Sequence, residues 1–358
     1  MRFEHETLPQ RVRFAPGDAA ASVLAEVERL GGSRVMVIAA PGESDLAAQV
    51  TAGLPVVLRH DDVVMHVPVA TAERARAAAA AHDVDVMVSV GGGSTTGLAK
   101  AVALTTGLPV VAVPTTYAGS EATSVWGLTE GARKTTGADP RVLPRAVVYD
   151  ATLTLSLPVA MSVASGLNAL AHCVDSLWAP RTDPIAQALA GEGIRALAAG
   201  LPTVVTDPIG LTGREHLLYG AYLAALAFSS AGSGLHHKIC HVLGGAYDLP
   251  HAQTHAVVLP YVLAFNAPAA PEAERRMATA FDAPTAVEGL RRLRRAVDAP
   301  LALRDHGFDE AHIDDAVRAI LEVVPAGNPR RVTAQNLRRL LRAASRGADP
   351  ATVAAMGG

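Results

Sequence analysis

The chain has 358 residues, 31 Lys plus Arg against 34 Asp plus Glu, and a formal net charge of −3. That length accommodates two domains, and the near-neutral balance gives no reason to expect nucleic acid or an anionic membrane as partner. Half of the residues are hydrophobic. No uninterrupted apolar run reaches membrane length, and the start MRFEHETLPQ lacks the charged-then-apolar layout of a signal peptide, so a cytoplasmic protein is expected.

Up to about residue 150, short β-branched runs alternate with alanine-rich stretches. RVMVIAA (34–40), VVMHV (63–67), VDVMVSV (84–90), LPVVAVP (108–114) and RAVVYD (145–150) read as strands. SVLAEVERLG (22–31), TAERARAAAAAH (71–82) and TTGLAKAVALTTG (95–107) read as the helices between them. Alternation with continuously apolar strands predicts a parallel sheet covered on both faces. Beyond it the β signal fades and Pro/Gly punctuation separates helices such as EGLRRLRRAV, EAHIDDAVRAILEVV and AQNLRRLLRAAS. The basic run Arg291 to Arg295 is expected to face solvent. The organisation expected is therefore an α/β nucleotide-binding domain over 1–155 and an all-α domain over 156–358, with the active site in the cleft between them.

Chemistry first shows at VDVMVSVGGGSTTGLAKAVAL, an apolar strand, a glycine triplet, then a helix. Glycines allow the backbone to approach a phosphate, and the free N–H groups of a helix start favour negative charge. Gly92, Gly93, Ser94 and Thr95 are thus candidates to hold a pyrophosphate, although the spacing is not G-x-G-x-x-G. The next strand runs into a hydroxyl-rich loop with Thr115, Thr116, Tyr117, Ser120 and Thr123, at the end of a strand where open α/β sheets bind ligands. An ordinary polar loop would read the same way. Lys134 is a further candidate nucleotide contact.

The densest signal is GSGLHHKICHVLGGAYDLPHAQTH, with His236, His237, His241, His251 and His255, five of the thirteen histidines. Imidazole suits both metal ligation and proton transfer near neutral pH. His237 and His241 stand one helical turn apart, as do Asn168 and His172 in SGLNALAHCVDSL. An Asp at 168 would make a carboxylate-plus-imidazole metal site; the residue is Asn. Cys173 and Cys240 are too few for a disulfide framework and offer no zinc-type pair; two reduced, buried thiols are expected.

The succession GGGSTTGLAK, PTTYAGSEAT, KTTG, VLP and VVYD, then SGLNALAHCVDSLWA and GLHHKICHVLGGAYDLPHAQTHAVVLPYVLAFN, resembles the iron-containing alcohol dehydrogenase superfamily over nearly the whole chain. Within it the chain more closely resembles the maleylacetate reductases. The resemblance implies a Rossmann-like, dehydroquinate synthase-like fold, NADH or NADPH as hydride donor, a small dicarboxylate enone as substrate, reduction of maleylacetate to 3-oxoadipate, and a homodimer. It also maps the metal ligands of metal-dependent relatives onto Asn168, His172, His237 and His251, and the histidine beside the substrate onto His241. An amide is a neutral, weaker donor than a carboxylate, so a divalent metal is not expected and these positions read as vestigial.

Loss of the metal suits this chemistry. Hydride addition to the alkene carbon beta to a ketone develops an enolate, far less basic than the alkoxide formed on a simple carbonyl. Imidazole N–H groups of His172, His237 and His251, with Asn168, are expected to stabilise it. His241 is the first choice of proton donor, with His237 the competitor. Lys238 or His236 is expected to pair a substrate carboxylate, Tyr117 to stack near the nicotinamide, and His255 to support the site from behind. Ala39 and Ala40 end the first sheet strand without a carboxylate to repel a 2′-phosphate, so NADPH is expected to serve alongside NADH. The alternatives are a metal-dependent alcohol or polyol dehydrogenase that tolerates Asn168, a dehydroquinate synthase-type sugar-phosphate cyclase, and a nucleotide-binding protein without catalysis.

Overall fold

The structure is a computed structural model; it describes residues 2–354 except Leu8 and Ala132, and the side chains of Arg133 and Lys134 lie outside the described residues. The proposed nucleotide contact Lys134 is therefore left without a structural account. The chain divides into two compact units: Thr7–Leu157, and Pro158 onward together with the N-terminal residues through Glu6.

The first unit is built on six strands: β1 (Arg11–Phe14), β2 (Val35–Ile38), β3 (Val56–His60), β4 (Val86–Gly91), β5 (Val110–Pro114) and, after a hairpin, β8 (Ala146–Tyr149). They form one sheet in the order β1-β8-β5-β4-β2-β3, with every pairing parallel. The helices α1 (Ala19–Arg29), α2 (Ser44–Val50), α3 (Val69–Ala81) and α4 (Gly93–Thr106) cover it. Strand side chains alternate between faces. Val35, Val37, Val86, Val88 and Val90 join Val23, Val27, Ala47 and Val50 of α1 and α2 in one core. Met36, Ile38 and Met87 join Ala72, Ala75, Ala79 and Leu98 of α3 and α4 in the other. Burial on both faces is why these strands read as unbroken apolar runs.

Three details were not foreseen. The run 63–67 is a loop, with His66 and Val67 at φ of 64° and 49°; the strand in that region is β3, upstream. The short strand β1 and helix α2 carried too few apolar residues to register. An antiparallel hairpin, β6 (Val125–Glu130) and β7 (Arg133–Ala138), forms a separate two-stranded sheet.

Two features of this sheet prepare a site. Gly91 and Pro114 are register partners at the ends of β4 and β5, so the glycine turn and the threonine loop emerge side by side. The path from β2 turns one way to β3 while β4 leads the other way to β5, and such a switch point leaves a crevice at the strand ends.

The second unit contains α5 (Val159–Ser176), α6 (Pro184–Thr206), α7 (Leu211–Ala231), α8 (Leu235–Tyr247), α9 (His251–Asn266), α10 (Pro271–Ala280), α11 (Ala286–Ala296), α12 (Ile313–Val323), α13 (Ala334–Arg346) and α14 (Ala351–Ala354). Helix α5 packs on α6, α7 and α9, and α6 lies closely along α7. A Cβ at Gly200 would come within 2.8 Å of the Gly213 carbonyl oxygen, so only glycine permits that approach. Helix α6 alone among the described residues has the length and composition to cross a membrane; it packs on α5 and α7 and carries an exposed Glu192–Arg195 ion pair. Around α8 and α9 a core forms from Leu235, Ile239, Leu243, Val257, Val258, Tyr261 and residues of α12 and α13. Within the basic run, Arg291, Arg292 and Arg295 are exposed, but Arg294 is buried. Its guanidinium donates to the carbonyls of Ala256 and Pro300, and so ties α11 to α9.

Candidate functional site

The crevice of the first unit has an anion-binding form. Gly91 sits at φ +151°, and a Cβ there would meet Glu43 Oε2 at 2.4 Å and Thr95 Oγ1 at 2.5 Å. Gly92 is the N-cap of α4 and supplies no side-chain bond to the first-turn N–H groups, which remain available for an anionic ligand. Gly92, Gly93 and Ser94 are partly accessible, whereas Thr95 is buried behind the turn. A Cβ on Gly92 would stand 3.0 Å from the Thr116 methyl, so the two loops touch through this glycine.

The sequence reading missed Glu43. Its carboxylate accepts from the Thr115 hydroxyl at 2.5 Å, and burial pushes its pKa up against that bond. The strand end lacks a carboxylate, but the short helical turn after it brings one to the crevice. Also unforeseen was the support beneath the threonine loop. Lys100 of α4 is buried and donates to the Ser120 carbonyl, to Thr123 Oγ1 at 3.1 Å and to the Val125 carbonyl at 2.9 Å. Burial lowers its pKa to about 7, with Glu121 opposing the shift. Glu121, also buried, accepts from Tyr149 Oη at 2.7 Å. Tyr117 is fully buried, so its ring has no open face to lay against a nicotinamide; it fills the loop from within.

The histidine constellation lies wholly in the second unit, on α5, α8 and α9. Asn168 and His172 share a face of α5, and the His172 ring stacks on that of His237 at 4.8 Å and 13°. Phe228 of α7 closes against both rings, with centroids 4.8 and 4.4 Å away. His237 and His241 lie one turn apart on α8, ring centroids 6.0 Å apart. His251, at the start of α9, lies 6.4 Å from His241 with the rings nearly parallel. His241 and His251 are exposed, whereas Asn168 and His237 are buried.

Asp175 organises this array, and its signal was available: it follows His172 by one turn on the same helix. Its side chain is fully buried, and Oδ2 accepts from Gly234 N at 3.0 Å, His237 N at 3.1 Å and His237 Nδ1 at 2.7 Å. The two backbone donors belong to the start of α8, so the carboxylate caps that helix against its positive end. An oxygen that accepts two backbone N–H groups requires His237 Nδ1 to carry the proton. His237 Nε2 is then a lone pair. This corrects one expectation: neutral His237 presents an acceptor, not a donor, and burial holds its pKa well below the usual imidazole value. Burial likewise lowers His172 to about 4.

His236 also departs from expectation. Neighbouring residues on a helix point about 100° apart, so with His237 facing the site His236 turns into the core. It is fully buried, and its Nε2 bonds His255 Nδ1 at 2.9 Å. That excludes it from pairing a substrate carboxylate, whereas Lys238 is partly exposed.

Three buried atoms at the positions matched to metal ligands have no hydrogen-bond partner: Asn168 Oδ1, His172 Nδ1 and His237 Nε2. Unpartnered nitrogen and oxygen atoms would suit a cation, yet the set contains no anion. Among the described residues, the ligating atoms of His172, His237 and His251 do not form a group within 4.8 Å of one another. The donors fit a divalent ion poorly.

Residues 9–151 match the iron-containing alcohol dehydrogenase family and residues 162–345 match its C-terminal region. A maleylacetate reductase of Sphingobium indicum is 45% identical over 98% of this chain and 100% of its own length. An iron-containing alcohol dehydrogenase structure from Corynebacterium glutamicum is 62% identical, covers 99% of both chains and superposes with a TM-score of 0.97. The maleylacetate reductase structure from Agrobacterium tumefaciens is 40% identical, covers 97% of this chain and 99% of its own, and gives a TM-score of 0.92. The chain belongs to the iron-containing alcohol dehydrogenase family, and relatives that match it from end to end include maleylacetate reductases.

Proposed function

We propose that this protein is a cytoplasmic, homodimeric oxidoreductase that reduces the carbon–carbon double bond of maleylacetate to give 3-oxoadipate, with NADH or NADPH as donor and no metal at the vestigial positions. The observation that carries the reading is Asn168: a neutral amide, buried and with its oxygen unpartnered, where metal-dependent chemistry would want a carboxylate. Full-length likeness to maleylacetate reductases supports the substrate.

A bound reduced nicotinamide would supply the hydride, received by the alkene carbon beta to the ketone. The first-turn N–H groups of α4 with Gly92, Gly93 and Ser94 would hold its pyrophosphate. Asn168 can turn its amide N–H₂ toward the enolate oxygen, and His172 has an N–H to add. Two neutral donors in a dry pocket are the kind of stabilisation an enolate needs. His241 and His251, at the open side, would deliver the proton to the carbon next to the ketone. His237 is excluded as donor because its Nδ1 proton is held by Asp175. Lys238 would pair a substrate carboxylate.

The test is NADH oxidation with fresh maleylacetate, run with and without a chelator, with the product identified. Turnover to 3-oxoadipate at an unchanged rate after chelation is expected; loss of activity restored by added iron or zinc overturns the metal-free reading. Run with NADPH, the same assay is expected to give comparable turnover. An absolute NADH requirement would instead assign Glu43 the discrimination, and Glu43→Gln would then relax it.

A further inference from the structure

Behind the proposed active site, α8 and α9 are joined by three fully buried side chains: His236, Cys240 and His255. Their ligating atoms all lie within 4.8 Å of one another. His236 Nε2 stands 2.9 Å from His255 Nδ1 and 3.6 Å from Cys240 Sγ. We propose that this His-Cys-His cluster is a binding site for a thiophilic divalent cation of the zinc class, separate from the vestigial positions and clasping α8 to α9.

Geometry carries the argument. With Zn–N near 2.05 Å and Zn–S near 2.3 Å, tetrahedral coordination places the two nitrogens about 3.3 Å apart and each nitrogen about 3.6 Å from sulfur. The separation of His236 Nε2 from Cys240 Sγ already agrees, His255 lies within 4.8 Å of both, and the two nitrogens need only part by roughly 0.4 Å. The donors are a soft sulfur and two imidazoles, the set preferred by zinc over magnesium or calcium. Cys173, the other thiol, has no such neighbours among the described residues.

The proton and charge balance also closes. Two neutral imidazoles facing each other share one proton between Nε2 of His236 and Nδ1 of His255. Ion binding moves that proton to the far nitrogen of its own ring, so His236 Nδ1 and His255 Nε2 both carry hydrogen. Those two buried atoms have no hydrogen-bond partner now, so neither is committed to another role. The thiol releases its proton to solvent. The dication and thiolate leave one net positive charge, and the buried Asp175 carboxylate, which interacts electrostatically with His236, compensates it.

The test uses Co²⁺ as a spectroscopic probe on the purified chain, incubated for hours because the site is enclosed. One equivalent is expected to produce a thiolate-to-cobalt charge-transfer band in the near ultraviolet, with one proton released. The band should persist in Cys173→Ser and vanish in Cys240→Ser. Because Asn168, His172, His237 and His251 contain no sulfur, cobalt bound there gives no such band, so the outcome is independent of the proposed reaction. Should Cys240→Ser fail to fold, X-ray absorption of the zinc-loaded wild type gives the same decision: one sulfur and two imidazole nitrogens are expected. A band retained in Cys240→Ser, no band in wild type, or a sulfur-free shell overturns the proposal.

Discussion

Asp175→Asn tests how the histidine site is held, because it keeps volume and removes only charge. In the native protein the carboxylate satisfies Gly234 N, His237 N and His237 Nδ1 through one oxygen, and Trp178 Nε1 approaches the other at 3.4 Å. An asparagine oxygen can still accept from the two backbone groups, but its N–H₂ then faces a donor or leaves an N–H unmet. Hydrogen bonds to a charged group contribute about 1.5–3 kcal/mol each, and one is lost outright. The opposing gain is relief from burying a carboxylate, whose pKa burial already pushes up. A net loss of about 1–3 kcal/mol is expected from these magnitudes. Asp175→Ala strands all three donors at the start of α8, at about 1–3 kcal/mol each, and should cost about 3–5 kcal/mol. Urea unfolding monitored by far-ultraviolet circular dichroism reads both values. Function should separate from stability in the Asn variant. With Nδ1 released, His237 can move its proton to Nε2, a change visible in nitrogen-15 NMR of the imidazoles. Turnover should fall at least tenfold while NADH affinity stays within twofold. An Asp175→Ala protein within 1 kcal/mol of wild type, or an Asn variant with the native tautomer and native turnover, would refute the reasoning.

Three more outcomes follow from the same geometry. Asn168→Asp should bind divalent metal more tightly by calorimetry and lose maleylacetate reduction; an active, metal-free Asp variant would show that the neutral amide is dispensable. His241→Ala should lower turnover on the order of a hundredfold if it donates the proton, with steady-state kinetics near wild type as the contrary result. Stability should fall with acid in a defined window. His172 and His236 are lowered from 6.5 to about 4 and about 3, so the folded chain keeps them neutral while the unfolded chain takes up protons. Their stabilising contribution is full above about pH 6.5 and is lost as pH falls toward 4, at up to about 1.4 kcal/mol per pH unit for each ring. Urea midpoints measured from pH 7 to pH 4.5 should trace that slope, and His172→Phe should flatten it.

Much of this was legible in the residues. Unbroken runs such as VDVMVSV announce strands buried on both faces, and the glycine triplet announces the turn that follows β4. Helical spacing was enough to pair Asn168 with His172 and His237 with His241. What escaped belongs to tertiary structure. The stretch VVMHV has the composition of a strand but turns through positive φ at His66 and Val67, and β3 holds the sheet edge instead. Lys100, Glu121 and Asp175 are charged residues that composition assigns to the surface; each is buried because a specific partner meets it. Glu43 lies just past its strand, and only the folded sheet brings it to Thr115. The opposed fates of His236 and His237 follow from one residue's rotation on α8, which spacing alone cannot orient.

Every member of the histidine array, with Asp175 and Phe228 behind it, comes from α5, α7, α8 and α9 of one unit, and every piece of the glycine crevice comes from the other. The two clusters thus lie in separate stretches of the chain, on either side of Leu157. A substitution at position 168 therefore leaves every residue of the glycine crevice in place. Change in the histidine cluster and change in the glycine crevice are thus separable along the sequence.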